Sequence, residues 1–438
     1  MRPTFLSGRG IVLRRVALAC VLAGLSLLLP WALAFDPQAW LVWGRDLPGS
    51  GLTPADGPSW KPLPLLFTTP LAVAGDVAPA LWLILARTGA FVALGGAWRL
   101  GRMLGGRAAA VGAVGVTALG PWWAYNAALG NSEGWLAAFV LWAIVAHLER
   151  RERLAFVLLA AAGLLRPEIW PFLLGYGVWT WRLGARALVA GGAVVLVLAW
   201  FGPDVVWSAG AISAGDAARA TPSPGSAGRS EHPALQVLAD AATGVGIAAC
   251  LAAAFAAWRG PAARVLALLA VAYVVLVAVA TFAGYAGNPR YLVPAIAVLA
   301  VLAGVGAAGL PWPRLGVAAL LALTLLAHAG DLRTEARDVA ARSDARTGLD
   351  EAIRASGGAA RLRSCPPVRT VFVTRALVSL RAGVPLPGIA GPGPGPGTTL
   401  LPPPPTPLQD QSPVPSRGPA GQRLVVRRGG WSVWSSCR

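Results

Sequence analysis

The sequence predicts an all-α polytopic membrane protein of about eleven transmembrane or half-membrane helices, each apolar run spanning much or all of a bilayer core. A small extracytoplasmic α+β domain is expected to follow. Three observations carry this reading. Hydrophobic residues make up 56% of the 438-residue chain and charged ones only 13%, whereas soluble domains carry roughly 25% charge. Apolar runs of about 18–22 residues recur as far as residue 328, long enough to cross a hydrocarbon core of about 30 Å. After His328 the chain turns charged, then strand-patterned and Pro/Gly-rich.

The expected spans are Val16–Ala34, Val77–Arg99, Ala108–Trp123, Ser132–His147, Leu154–Leu165, Ile169–Trp181, Ala187–Phe201, Leu235–Trp258, Val265–Phe282, Leu292–Leu310 and Leu315–His328. Val16–Ala34 follows Arg14-Arg15 and reads as a retained first helix, since too many spans follow it for a mere signal peptide. Leu154–Leu165 and Ile169–Trp181 are too short to cross alone, at about 1.5 Å per residue. Leu165-Arg166-Pro167-Glu168 separates them. Proline breaks the helix and the flanking charges demand a polar cavity, so the pair reads as broken half-helices that return to the side they came from. The inside segments of this topology hold about fifteen arginines and the outside loops up to Arg290 about five basic residues, which places the N-terminus in the cytoplasm and the C-terminal domain outside an inner (plasma) membrane.

Residues 1–330 are assigned to the membrane domain and 331–438 to the soluble one. In the latter, Asp331–Ser356 reads as a charged helix, and Val368–Thr374, Leu377–Arg381 and Arg423–Val433 as strands, with Gly429-Gly430 turning a hairpin. The Pro-Gly repeats and proline run within about 386–421 predict a disordered or extended insertion. The loop Gly202–Pro233 is polar and reads as mobile.

A net charge of +18 does not point to nucleic acid. The arginines are scattered over short loops and the tail, with no aromatic-basic module. Cys20 and Cys250 lie within apolar runs as inert packing residues. Cys365 and Cys437 can form one disulfide if the tail is outside the reducing cytoplasm. Three scattered histidines make no convincing zinc site.

Charge buried near lipid is a functional candidate by default. Asp36 either ends the first helix at the interface or faces an outer cavity as general base or metal ligand. Lys61, the single lysine of the chain, either snorkels beside Trp60 or binds phosphate. Asn131-Ser132-Glu133 is an N-cap with a favourable first-turn carboxylate, which leaves Glu133 free to face a cavity. Arg166 and Glu168 form either a structural ion pair or part of a site. Arg87 reads as the structural partner of some carboxylate. Arg290 enters a span with Tyr291, and its rigid fork of donors suits phosphate. Asp46 and Asp56 read as solvated loop charges, with Asp46 kept as a cavity candidate alongside Glu168, Tyr291 and Trp60. Trp431-Ser432-Val433-Trp434 reads as a strand.

Four of these pieces, in order, resemble the GT-C superfamily of integral membrane glycosyltransferases, particularly its family-39-like, protein-mannosyltransferase-related branch. They are Asp36 at the end of the first helix, Lys61-Pro62-Leu63-Pro64, the Arg166-Pro167-Glu168 break, and Arg290-Tyr291-Leu292-Val293-Pro294 at the start of a late span. The chain departs from the pattern in having Pro37 after Asp36, where two adjacent acids are frequent, and in reading Lys-Pro-Leu-Pro where Lys-Pro-Pro-Leu is expected. The resemblance covers roughly residues 1–330. It implies a polyprenyl-phosphate sugar as donor and transfer with inversion to an acceptor hydroxyl of a glycan, lipid or protein on the extracytoplasmic face. Asp36 would be the catalytic base, Arg290, Lys61 and Arg166 the donor-phosphate ligands, and Glu133 an aid to acceptor binding. No cofactor is required, although a divalent cation shared by Asp36 and Glu133 stays open. Two other classes compete: a transporter or lipid flippase, and a noncatalytic membrane assembly protein.

Overall fold

The computed structural model describes residues 5–49, 52, 57–58, 60–207, 225–406, 408–409 and 413–437. Asp56 and most of the Gly202–Pro233 loop lie outside the described residues.

Helix α1 (Phe5–Leu25) runs into a 3-10 turn at Ser26–Leu28, and the chain is then extended to Ala34. Pro30 explains the stop, because it cannot continue a helix. A new helix, α2 (Phe35–Asp46), begins at Phe35. Asp36 therefore sits in the first turn of the second helix, not at the end of the first as the sequence suggests. Helix α3 (Pro62–Leu71) leads through a 3-10 segment to α4 (Ala78–Leu119), two apolar arms kinked at Gly106, whose φ of 80° suits glycine. Helices α5 (Pro121–Ala128) and α6 (Glu133–Leu148) follow. The two expected half-helices are present as α7 (Glu152–Gly163) and α8 (Trp170–Arg182), parted by a 3-10 turn at Pro167–Ile169.

After α9 (Arg186–Trp207), the span expected over Leu235–Trp258 is instead two helices, α10 (Pro233–Val245) and α11 (Ile247–Arg259), bent by 90°. Gly246 makes the bend with a φ of 88°. Helices α12 (Pro261–Phe282) and α13 (Val293–Ala308) complete the buried bundle. Among the described residues five helices are long and apolar enough to cross a membrane, or six if the bent pair is one span. Helix α13 is its axis, packed against α4, α11 and α12. Small residues permit this closeness: Gly304 lies against the backbone of Gly112 and Ala113, and Gly306 against the carbonyl of Ala252.

Helix α14 (Pro313–Ala355) passes without a break across residue 331, where the sequence places the boundary between domains. It carries the C-terminal unit, which contains α15 (Gly358–Arg363), α16 (Arg375–Ala382) and a five-stranded sheet of order β2-β1-β3-β5-β4. Strand β1 (Val368–Arg369) pairs in parallel with β2 (Ile389–Ala390) and with β3 (Thr398–Leu401). Strand β3 runs antiparallel to β5 (Trp431–Ser435), which forms the expected hairpin with β4 (Arg423–Arg428). Gly429 and Gly430 both take positive φ there, 54° and 78°, as a two-residue type I′ turn requires.

Of the strands expected in this unit, Val368–Thr374 is a strand only over Val368–Arg369, with a 3-10 turn at Phe372–Thr374, and Leu377–Arg381 is none. Leu377–Arg381 lies in helix α16, which buries Ala376, Leu377, Val378 and Ala382 and ends at left-handed Gly383. Residues 398–401, within the stretch expected to be disordered or extended, are extended as the fully buried central strand. A strand of four residues between Pro-Gly repeats carries no compositional signal, and its stability comes from ladder partners on both sides. Cys365 and Cys437 form a disulfide with Cα atoms 6.0 Å apart, which ties the end of the hairpin to the start of the unit.

Gly306→Ala places a methyl group against the Ala252 carbonyl and is expected to cost about 1–3 kcal/mol, as overpacking does. Gly330→Ala on α14 meets open space and should be neutral or gain up to about 1 kcal/mol of helix propensity. Thermal melts of the detergent-solubilised variants check both.

Candidate active site

Five helix beginnings supply the charged cluster. Asp36 is in the first turn of α2, and Lys61 is the extended residue before Pro62 opens α3. Ser132 and Glu133 begin α6. Arg166 is extended before the Pro167–Ile169 turn that carries Glu168 into α8. Arg290 lies in the Pro289–Leu292 turn that leads into α13, and its own N–H donates to the Asn288 side chain. Proline recurs at these beginnings because its fixed φ suits the first helical turn, and the extended residue before it turns a long side chain away from the helix. The Leu63 N–H donates to the Leu164 carbonyl, which holds the lysine segment beside the half-helix break.

At the centre is Glu133, with no exposed surface. Its Oε1 accepts from Arg166 at 2.7 Å and from Lys61 at 3.2 Å. Lys61 also donates to Ser132 Oγ at 2.9 Å and lies 5.3 Å from the Trp40 ring centre. Ser132 makes no side-chain cap for α6; its hydroxyl serves the lysine instead. Lys61 thus neither snorkels nor stands free; it is 2% exposed. Arg166 approaches Glu168 only to 3.9 Å, so the pair expected from Arg-Pro-Glu is secondary to the pairing with Glu133.

Arg290 forms the outer layer. Its Nη2 lies 2.7 Å from Asp36 Oδ2, and this pair retains some exposure. Aromatic rings fill the space between. Arg166 sits over the Tyr291 ring at 4.0 Å, Tyr285 stacks on Tyr291 at 5.0 Å, and the Tyr285 hydroxyl donates to Glu168 at 3.1 Å. The Tyr273 hydroxyl donates to the Tyr291 carbonyl. Tyr285 and Tyr273 were not singled out in the sequence. The former had a signal, as a polar aromatic between two positive-φ glycines just before the Asn288-Pro289 turn.

The remaining candidates fall elsewhere. Asp46 pairs with Arg45, which also donates to the carbonyls of Ser379 and Val384 in the C-terminal unit. Trp60 is buried, with its indole N–H on the Ala199 carbonyl. Arg87 has no carboxylate partner among the described residues, contrary to expectation; it donates to Ser26 and to the Ala128 carbonyl.

Several atoms of the cluster have no hydrogen-bond partner among the described residues: Nε of Arg166 and of Arg290, and Oε2 of Glu133 and of Glu168. Buried orphan groups are rare in native proteins. The two guanidinium donors suit an anion, and the two carboxylate oxygens suit hydroxyl donors. Asp36 and Glu133 are each engaged by cations, and no group of three or more His, Cys, Asp or Glu placed to hold a metal occurs among the described residues.

Glu133→Ala leaves Lys61 and Arg166 buried without their counter-charge. It is expected to cost about 3–5 kcal/mol, the usual loss when one partner of a buried pair is removed. The E133Q/K61M double variant should lose less than the sum of its two single variants. Melting points of the four proteins in one detergent measure this coupling.

Neither family models nor curated proteins match the sequence. Solved structures do match. The crystal structure of ArnT from Cupriavidus metallidurans bound to undecaprenyl phosphate superimposes with a TM-score of 0.60 at 14% identity, covering 98% of both chains. The apo form of that protein gives 0.61 at 15%, with the same coverage. The match extends through the C-terminal unit, beyond the span of the sequence motifs. The chain shares the fold of these structures over almost its whole length.

Proposed function

We propose that this protein is a membrane glycosyltransferase that moves a sugar from a polyprenyl-phosphate donor to an acceptor hydroxyl on the extracytoplasmic face, with inversion. The observation that carries this reading is the convergence of Lys61, Arg166 and Arg290 with Asp36, Glu133 and Glu168, in a fold whose solved counterpart binds undecaprenyl phosphate.

The donor phosphate lies on Arg290, whose orphaned Nε is a further donor for it. Lys61 and Arg166 are committed to Glu133 and contribute mainly through their charge. In the transition state the bond between the sugar's anomeric carbon and the phosphate oxygen breaks, and negative charge gathers on the leaving polyprenyl phosphate. Preorganised cations in a poorly solvated site stabilise that charge. The acceptor oxygen attacks the opposite face of the anomeric carbon, which inverts its configuration. Asp36 takes the acceptor's proton.

The Asp36–Arg290 pair links the two halves of this reaction. With no donor bound, each neutralises the other. A phosphate on Arg290 competes for the guanidinium and frees Asp36 to face the acceptor. As Asp36 becomes protonated, Arg290 is left wholly to the departing phosphate. The sugar hydroxyls meet Glu168 Oε2, an acceptor atom without a hydrogen-bond partner among the described residues.

Asp36→Asn should lower kcat by about 10²–10⁴-fold, the range for loss of a general base, while donor binding is kept or tightened, since Arg290 loses its competing partner. Arg290→Ala should weaken donor binding as well as turnover. Transfer from a panel of radiolabelled polyprenyl-phosphate sugars by the purified protein measures both. Failure of every donor to support transfer, or an unimpaired Asp36→Asn variant, overturns the proposal.

A further inference from the structure

A cavity of about 540 Å³ lies between the end of α1, the middle of α4, helix α5 and helix α14. Its size falls in the range of roughly 300–1,000 Å³ typical of small-molecule sites. None of the charged residues of the active-site cluster lines it. Its walls are mostly apolar, with Leu29, Phe91, Leu94 and Val339 among them. Leu29 is itself 67% exposed, and its neighbour Leu28 is 85% exposed. In a multi-pass protein such leucines face lipid, so the cavity communicates with the bilayer. It lies along the part of α14 where the apolar run Leu320–Leu326 gives way to Asp331, Arg333 and Glu335, the signature of a membrane–water boundary.

Two charged side chains interrupt the apolar lining. Glu335 is only 8% exposed, and its Oε2 has no hydrogen-bond partner among the described residues. The contrast with Asp338, three residues on, is informative: that carboxylate accepts from Tyr125, Arg342 and Thr406. Asp331, one turn before Glu335, lies near His328. Arg87, from α4, donates only to neutral oxygens of Ser26 and Ala128, which leaves its charge uncompensated and further N–H donors available. A buried carboxylate and a buried guanidinium, each lacking an ionic partner, are costly unless something pairs them.

We propose that this cavity binds an amine-bearing glycerophospholipid taken from the bilayer. An acyl chain occupies the apolar volume, the ammonium group donates to Glu335, and the phosphodiester pairs with Arg87. The charge pattern selects this headgroup. A glycerol headgroup brings the anion for Arg87 but no cation for Glu335. A choline headgroup has no N–H to donate. Helix α5 gives the site a structural consequence, since it forms one wall and also packs against the Pro289–Leu292 turn that holds Arg290. The lipid site stands apart from the transferase reading and requires no turnover.

The test uses the full-length protein, delipidated in detergent and titrated with dioleoyl-phosphatidylethanolamine, -phosphatidylglycerol or -phosphatidylcholine. Native mass spectrometry reads retained lipid, and a thermal melt reads stabilisation. Phosphatidylethanolamine should be retained in one copy and raise the melting point by several degrees, well beyond the other two. Glu335→Gln should bind it about tenfold less tightly, the loss expected for one charge-assisted hydrogen bond, yet melt at or above the wild type without lipid. Ala336→Trp, which fills the cavity from the same helix, should lose the lipid and keep its helical circular dichroism. Equal retention of all three lipids, or undiminished phosphatidylethanolamine binding by either variant, overturns the proposal.

Discussion

The structure depends on a carboxylate that water does not reach. Glu133 draws Lys61 from the start of one helix and Arg166 from the break between two others. Taking any of these charges out of water alone is expensive, and taking them together is tolerable only with close, hydrogen-bonded geometry. The constraint is therefore mutual. The helix beginnings must converge for the charges to be paired, and the charges hold the beginnings in place once they converge. Arg290 is then set beside this group, with Asp36 as its own partner on the more exposed side. The arrangement grades from a sealed interior pair to an outer pair that a ligand can reach.

The C-terminal unit is part of this arrangement through α2. Helix α16 packs on α2, Ala376 and Leu386 join the buried cluster around Trp40 and Trp43, and Phe372 stacks on Phe35 at 5.3 Å. Phe35 precedes Asp36. At the other end of α2, Arg45 spans to the carbonyls of Ser379 and Val384. The helix that bears the candidate base is thus gripped at both ends by residues more than three hundred positions away, which gives the C-terminal unit a positioning role. The disulfide at Cys365–Cys437 closes that unit on itself.

Much of this was legible in the sequence, for reasons that differ by region. Charges in an apolar chain are conspicuous because burial penalises them, so Asp36, Lys61, Glu133, Arg166, Glu168 and Arg290 stood out individually. Their pairing did not, because pairing is a long-range property: Arg166 next to Glu168 in sequence suggested a local ion pair, whereas the fold gives Arg166 to Glu133. Arg87 suggests a carboxylate partner, whereas it donates to the Ser26 hydroxyl and to two carbonyls. The half-helices around Pro167 were readable from length and proline. The bend at Gly246 was hidden because Leu235–Trp258 is long enough to cross a bilayer and Thr243-Gly244-Val245-Gly246 within it holds no proline to mark a stop. In the C-terminal unit, short strands and a short helix take their conformation from neighbours in the sheet, so local pattern gives Leu377–Arg381 as a strand and does not reveal that extended Thr398–Leu401 is the central one.

The central claim is that the paired cluster is a phosphate site whose outer ion pair opens when the lipid donor arrives. An experimental structure of the protein with undecaprenyl phosphate measures this directly. The account predicts phosphate oxygens within hydrogen-bond distance of Arg290, the Asp36–Arg290 contact lengthened or lost, and the Glu133 pairs with Lys61 and Arg166 unchanged. A phosphate bound away from Arg290, or bound there with Asp36 still clasping the guanidinium, contradicts it.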